Sequence, residues 1–249
     1  MVPAAPPARR EHPARHEYHS GQTHPEPKPQ ELIKAADEFD KEFKIAVVKQ
    51  SAQRSRASAL IERRYAWRGY SAPSLEPCAH GKITLSAYIE ETTVATITAG
   101  LDSGDGLYVS GVYPEEVRRL RASGRKLCEF TKLAVDESVR SQAVLGAIFH
   151  VACMYVLEVH RCTDALIEVN PRHVRFYERM LGFRQAAEER LDPEVNAPAV
   201  LLRLDLRHCA REIARLAGRR QQGRPERSFY PHFFAPEKAA EIVGRLRVH

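Results

Sequence analysis

From about residue 42 the hydrophobic pattern alternates between the two-residue period of strands and the longer period of helices. FKIAVVK (Phe43–Lys49) reads as a short strand, and Ser51–Arg68 as a helix opened by Ser51, with Leu60, Ile61, Arg64 and Tyr65 on the helical period. Ile83–Ile89 and Thr92–Ala99 are rich in β-branched residues and separated by two glutamates, which predicts a hairpin. Pro114 opens a short helix with acidic residues in its first turn, arginine in its last and Gly124 as its stop. Leu127–Val135 is a strand. Val139–His160 is apolar nearly all round, as in a helix buried against a sheet. Ala165–Val169 is a strand, Arg172–Met180 a helix stopped near Gly182, and Ala199–Leu206 a last long strand. Leu206–Arg220 and Pro236–Leu246 are predicted helices beyond it. The order is helix, antiparallel meander, then β-α-β-α-β, a mixed α/β sheet.

The ends differ from this middle. Residues 1–30 hold seven of the 16 prolines and four of the 11 histidines, with almost no large aliphatic residues. Such a segment buries too little apolar surface to offset its ordering entropy, so it is expected to be a disordered tail. His12, His16, His19 and His24 lack the spacing of a metal site, and no metal is expected. The expected division is tail 1–30, catalytic domain 31–206 and basic helical extension 207–249.

Charge and cysteine content narrow the class further. Five scattered cysteines with no CxxC pair fit reduced core thiols in a cytoplasmic protein. The longest apolar stretch, Ala143–Leu157, is interrupted by His150 and falls short of the ~20 residues that span a bilayer. An integral membrane protein is not expected, although a transient membrane-surface contact is compatible with the basic surface. The net charge of +6 fits an anionic partner. Nucleic acid is not that partner, because no helix-turn-helix, zinc finger or ribonucleoprotein motif is present. Oligomeric state is left open.

The segment IEVNPRHVRFYERMLGF (Ile167–Phe183) is a strand ending at Asn170, a proline at a helix start, a helix carrying Tyr177, and a turn at Gly182. It resembles the strand-5/helix-4 segment of the GCN5-related N-acyltransferase superfamily. Three more segments narrow the resemblance: RRYAWRGY (Arg63–Tyr70), LRASGRKLCEFTKLAVD (Leu120–Asp136) and VNAPAVLLRLDL (Val195–Leu206). Together they resemble the FeeM-like N-acyl amino acid synthases, relatives of the acyl-homoserine lactone synthases. The resemblance implies a mixed, mostly antiparallel sheet flanked by helices. It also implies transfer of a long-chain acyl group to an amino acid amine.

Aminolysis of a thioester requires a deprotonated amine, a polarised carbonyl, a proton for the leaving thiolate and a slot for the donor arm. By resemblance, backbone N–H groups at Leu133 and Ala134 polarise the carbonyl, and Tyr177 protonates the thiolate. Glu129, a carboxylate in an apolar strand, matches the glutamate that handles the amine; the alternative is a structural pair with Lys132 or an arginine. Lys132 stands where the lactone synthases carry arginine. Arg64, Trp67 and Tyr70 are expected over the substrate, with Val135, Asn170, His173 and Phe176 completing its surroundings.

In the superfamily, glycines after Arg140 expose amides to the coenzyme A pyrophosphate. This chain has Ser141, Ala143 and Leu145 at those positions. The expected donor is therefore acyl carrier protein through its phosphopantetheine, with acyl-coenzyme A as the alternative and no tightly bound cofactor. Arg207, Arg211, Arg215 and Arg219 recur every four residues, and Arg118, Arg119, Arg121, Arg125 and Lys126 cluster; either set offers a docking surface for an acidic carrier. Other readings are a coenzyme A-dependent acetyltransferase acting on a small amine or protein, and a non-catalytic acyl-binding or regulatory protein.

Overall fold

The computed structural model describes residues 31–36, 41–67, 69–71, 75, 81–103, 106–139, 141–219 and 226–248. The expected tail, with its histidines, lies outside them, as do Cys78 and Arg140. Strands β1 (Glu31–Ala36) and β2 (Glu42–Val47) lead into helix α1 (Ser51–Ala66). Helix α1 starts at the expected Ser51, with Gln50 as its cap position: the Gln53 carboxamide accepts the N–H groups of Lys49 (2.9 Å) and Gln50 (3.1 Å). The hairpin β3 (Lys82–Ile89) and β4 (Thr92–Leu101) turns at Glu90, whose φ of 53° suits the tight two-residue connection.

Beyond the meander come α2 (Pro114–Ala122), β5 (Leu127–Val135), α3 (Gln142–Met154), β6 (Asp164–Val169), α4 (Val174–Leu181) and the short strands β7 (Arg184–Gln185) and β8 (Arg190–Asp192). The chain closes with β9 (Ala197–Asp205), α5 (Leu206–Leu216) and α6 (Pro236–Leu246). The strands pair in the order β1-β2-β3-β4-β5-β6-β9-β7, with β8 on β9, and only β5 and β6 are parallel. This is the mixed sheet the pattern predicts, mostly antiparallel as the resemblance implies. Strand β1 was not anticipated. It is an edge strand with only Leu32 and Ile33 deeply buried, and its outer positions pair with β2 through Lys34–Glu42 and Lys44–Glu31 (2.7 Å each).

The two faces of the sheet are covered differently. Helix α3 lies on one face, where Phe130, Ile167, Val169, Val200 and Leu202 join its buried side chains in one large cluster. On the other face, Leu127, Leu166 and Leu201 pack with Val117 of α2 and Tyr113, whose hydroxyl donates to the Ala199 carbonyl at 2.7 Å. Alternation along β6 thus sends Ile167 towards α3, and Leu166 with Glu168 towards α2. Gln142–Val159, the one described helical stretch apolar enough to cross a membrane, is 72% buried inside the fold, as a core helix is. Its last five residues, Tyr155–Val159, widen into a π-turn.

The closed end of the β5–β6 junction is fastened by Asp164, which is 0% exposed in its side chain. Its carboxylate accepts from Arg125, from Arg203 Nε (2.7 Å) and from the Thr163 hydroxyl (2.6 Å). Burial pushes this carboxyl up, but the hydrogen bonds from Arg125, Thr163 and Arg203 outweigh it and hold the group below the ordinary range. A depressed carboxyl stabilises the fold above its unfolded pKa of about 4 and loses that contribution as pH falls through the folded value. We expect Asp164→Asn to destabilise the protein by about 3 kcal/mol at pH 7, a fall of roughly 10 °C in the unfolding midpoint. The gap from wild type should close on acidification below pH ~4; thermal melts across that range check both.

Candidate active site

Strands β5 and β6 pair for only three residues, Leu127–Glu129 against Asp164–Leu166, and then separate. Past that point β5 carries a bulge: between the pairs Thr98–Thr131 and Thr96–Ala134, Lys132 and Leu133 oppose the single residue Ile97. Lys132 has φ 52°, a left-handed conformation that costs a non-glycine residue of order 1 kcal/mol. The Thr96 hydroxyl pins the bulge by donating to the Lys132 carbonyl at 3.0 Å. The irregularity therefore sits where sequence reasoning placed the carbonyl-polarising amides.

The gap between the two strands is a cavity of about 170 Å³. Phe130–Leu133 line one side and Ile167–Asn170 the other, with Tyr177 and Phe149 on the α3 side and Tyr108, Asp192 and Ala199 on the α2 side. Leu133, Lys132, Asn170, His173, Tyr177 and Tyr70 are brought together here, as the resemblance implies. Ala134 and Val135 are not on this surface. Ala134 is buried against Leu60 and Ile61 of α1, and Val135 pairs with Ala95. Of the two expected amide donors only Leu133 belongs to a cavity-lining residue.

Glu129 requires a larger correction. Its side chain points to the α2 face below the cavity, 3% exposed, and its two oxygens accept the N–H groups of Tyr108 (2.9 Å) and Val109 (3.1 Å). Burial raises its pKa, and those two N–H groups oppose the rise. It anchors the turn Tyr108–Ser110, and the charges of Lys82 and Lys132 also oppose the rise.

Two carboxylates face the cavity, Asp192 and Glu168, the second one residue beyond Ile167 on β6. Sequence reasoning passed over it, although a glutamate two residues before Asn170 in an otherwise apolar strand was the available signal. Both oxygens are buried and neither receives a hydrogen bond. Burial, reinforced by the charges of Asp192, Glu129 and Glu194 and by a hydrogen bond to Asp192 that only the protonated form makes, pushes its pKa up to about 8. The Tyr108 hydroxyl is also buried without a partner, and burial beside Asp192 and Glu194 raises its pKa strongly. This limb of the cavity is built for a group that brings positive charge and N–H donors.

The end of α1 splits in two. Tyr65 and Tyr70 line the cavity, and the Tyr70 hydroxyl accepts from Asn170 Nδ2 (2.8 Å) and Arg172 Nη2 (3.0 Å), which ties the segment after α1 to the turn after β6. Trp67 points outward, 70% exposed, with the Arg64 guanidinium 5.1 Å over its ring, and Arg64 also reaches Glu137 at 3.5 Å. Neither lines the cavity, because α1 ends at Ala66 and leaves Trp67 on its solvent side.

On the other face, α4 leaves the cavity at Gly182, whose φ of 78° stops the helix. Phe176 lies outside the cavity with its ring edge-on to Tyr177 at 5.2 Å. Ser141 caps α3, its hydroxyl accepting the Val144 N–H at 3.3 Å, so one of the helix's first amides is already satisfied.

The two arginine clusters also separate. Arg118 pairs with Glu115, Arg121 holds Asp102 with two hydrogen bonds (2.8 and 2.6 Å) and Arg125 is committed to Asp164, so much of that cluster serves the fold. Arg207, Arg211 and Arg215 are exposed on α5, but the helix stops at Leu216 and Arg219 lies beyond it, after Gly218. Arg215 is paired with Glu212 (2.5 Å) and Glu226 (3.7 Å).

Comparison with known proteins agrees with this geometry. The chain is similar in structure to FeeM, an N-acyl amino acid synthase from uncultured soil microbes, at 26% identity and a TM-score of 0.57, over 66% of this chain and 92% of that one. A putative N-acetyltransferase from Lactobacillus plantarum also matches (18% identity, TM-score 0.48, 66% and 98% covered). A CoA-dependent acyl-homoserine lactone synthase, MesI, also matches (14%, 0.42, 82% and 95%). No curated protein matches. The family model of N-acyl amino acid synthase FeeM matches residues 56–205, more than half of the chain, from within α1 to the end of β9, so the protein belongs to the FeeM family of N-acyltransferases.

Proposed function

We propose that the protein transfers a long-chain acyl group from the phosphopantetheine thioester of an acyl carrier protein to the amine of an amino acid. The observation that carries this reading is Glu168, a buried carboxylate without a donor, opening into the same cavity as Tyr177 and the β5 bulge. The amine enters as an ammonium, and Glu168 takes its first proton. A carboxyl raised to about 8 lies far closer to the range of an amine than an ordinary carboxyl does, so it takes that proton at reduced cost. The nitrogen then attacks the thioester carbon, and the oxyanion is held at the Leu133 N–H of the bulge. Collapse breaks the carbon–sulfur bond. Tyr177 gives its proton to the thiolate and regains one from the new amide nitrogen, leaving amide, thiol and one proton on Glu168. Lys132, on the cavity wall, suits the acceptor carboxylate.

Several features support a carrier-protein donor. Ser141 occupies the Val144 amide, and Leu145 places a side chain where a pyrophosphate would need bare backbone. Arg207 and Arg211 are exposed and offer a surface to an acidic partner. Conversion of the ammonium by Glu168 predicts an acid limb near pH 8 in the kcat/KM profile. Glu168→Gln should lower kcat/KM about 10²–10⁴-fold and leave only the limb set by the acceptor amine's own titration, and Tyr177→Phe should lower kcat on the same order. Glu129→Gln should instead act mainly on the unfolding midpoint. Thiol release, with mass spectrometry of the N-acyl product, measures these; a wild-type kcat/KM retained in Glu168→Gln would remove it as the base.

For the donor, reversing Arg207 and Arg211 to Glu should raise the KM for acyl carrier protein about tenfold while leaving the amino acid KM unchanged. Equal wild-type turnover of acyl-coenzyme A would replace the carrier with coenzyme A as donor.

A further inference from the structure

The family match ends at residue 205, and the chain that follows returns to the catalytic fold. Residues 228–234 lie across α3 and α4. The Phe229 N–H donates to the Met180 carbonyl (2.9 Å), the Tyr230 hydroxyl donates to the Leu181 carbonyl (2.7 Å), and both carbonyls belong to α4. On α3, the Phe234 N–H donates to His150 Nδ1 (2.9 Å), and the His150 ring stacks on Phe233 at 4.5 Å. The approach is close enough to require Gly146 in α3: a Cβ there would stand 2.7 Å from the His232 Cβ. Phe229, 1% exposed, sits with its ring stacked on Phe149 (6.0 Å, 20° between planes) and edge-on to Phe176 (5.8 Å).

Phe149 is a wall of the catalytic cavity. It belongs to the apolar limb, on the α3 face, with Ile97, Phe130, Ile167 and Val169, whereas Glu168 and Asp192 form the polar limb. An acyl chain partitions into the apolar limb and an ammonium into the other. Phe149 lines this limb, and its ring stacks on Phe229, which does not line the cavity. A chain too long for the limb has to push Phe149 back, and close packing against a buried aromatic resists that displacement.

We infer that the segment 228–234 gauges acyl-chain length, with Phe229 as the positioning residue that holds Phe149 at the end of the acyl limb. Phe229 does not touch the chain; it fixes the residue that does. The inference rests on reading the cavity as an acyl site, so its test is a binding series that needs no turnover.

S-alkyl pantetheine thioethers of increasing even chain length are titrated calorimetrically into the full-length protein. Wild-type affinity should rise about fourfold per methylene and then break off at a limiting length. Phe229→Ala should carry the break to chains longer by at least two methylenes and raise affinity for the first excluded length about tenfold. Phe229→Trp should move the break to shorter chains. Phe229→Leu, a milder truncation, gives the same sense of shift if the alanine variant does not fold. Tyr230→Phe keeps the aromatic filling and should leave the limit where it is. A limit unchanged in the folded Phe229 variants overturns the inference, as does a failure of wild type to bind any thioether. If the thioethers bind with the expected limits but no acyl thioester turns over, the gauge stands and the catalytic reading fails.

Discussion

Everything at the site depends on two parallel strands that part. Parallel pairing between β5 and β6 lasts three residues, and neither end of that arrangement is accidental. At the closed end Asp164, with two arginines and a threonine on its carboxylate, locks the strands to each other and to β9. At the open end the two-against-one bulge at Lys132–Leu133 turns β5 aside, held by Thr96 from the neighbouring strand. A regular ladder would have filled the gap with backbone hydrogen bonds and left no cavity. The left-handed Lys132 and the interrupted ladder are local costs that create the reaction space.

Because the gap passes through the sheet, it inherits the chemistry of both faces. Alternation on β6 puts Ile167 and Val169 towards α3 and Glu168 towards α2, so one strand supplies an apolar wall and a carboxylate to opposite limbs of one cavity. The same alternation explains the different fates of two glutamates. Glu129 lies in the paired part of β5, where the turn Tyr108–Ser110 covers it and donates two N–H groups. Glu168 lies past the point of separation, where no backbone is left to satisfy it.

Much of the fold was legible because it rests on local signals. The hairpin, the Pro114 helix, the nearly all-apolar α3 and the Gly182 stop are written in period, caps and turn residues. Strand β1 was not, since an edge strand of six residues with two buried apolar positions carries too short a pattern. The site divides likewise. Tyr177, Asn170 and the bulge region follow from the ordered motif, whereas choosing between Glu129 and Glu168 needs to know where β5 and β6 separate. That depends on tertiary pairing, and both residues read alike as acidic positions in apolar strands. Trp67 was misleading for a related reason: an aromatic at the end of a helix signals burial, but its direction is set by where α1 stops.

In the proposed reaction the buried carboxylate also links catalysis to stability. A carboxyl raised from the ordinary range to about 8 makes its ionised form a burden on the folded state. The unfolded chain ionises this group near pH 4, so stability is lost progressively from there up to about pH 8, a total of order 5 kcal/mol. A bound ammonium supplies the missing charge and N–H donors, lowers the carboxyl's pKa and relieves that burden. Near neutral pH the free protein holds Glu168 largely protonated, and acceptor binding must expel a proton from one partner or the other. Where the carboxyl is ionised, a cation in the polar limb offsets the cost of its burial. That gives the site a physical preference for an amine acceptor before any chemistry begins.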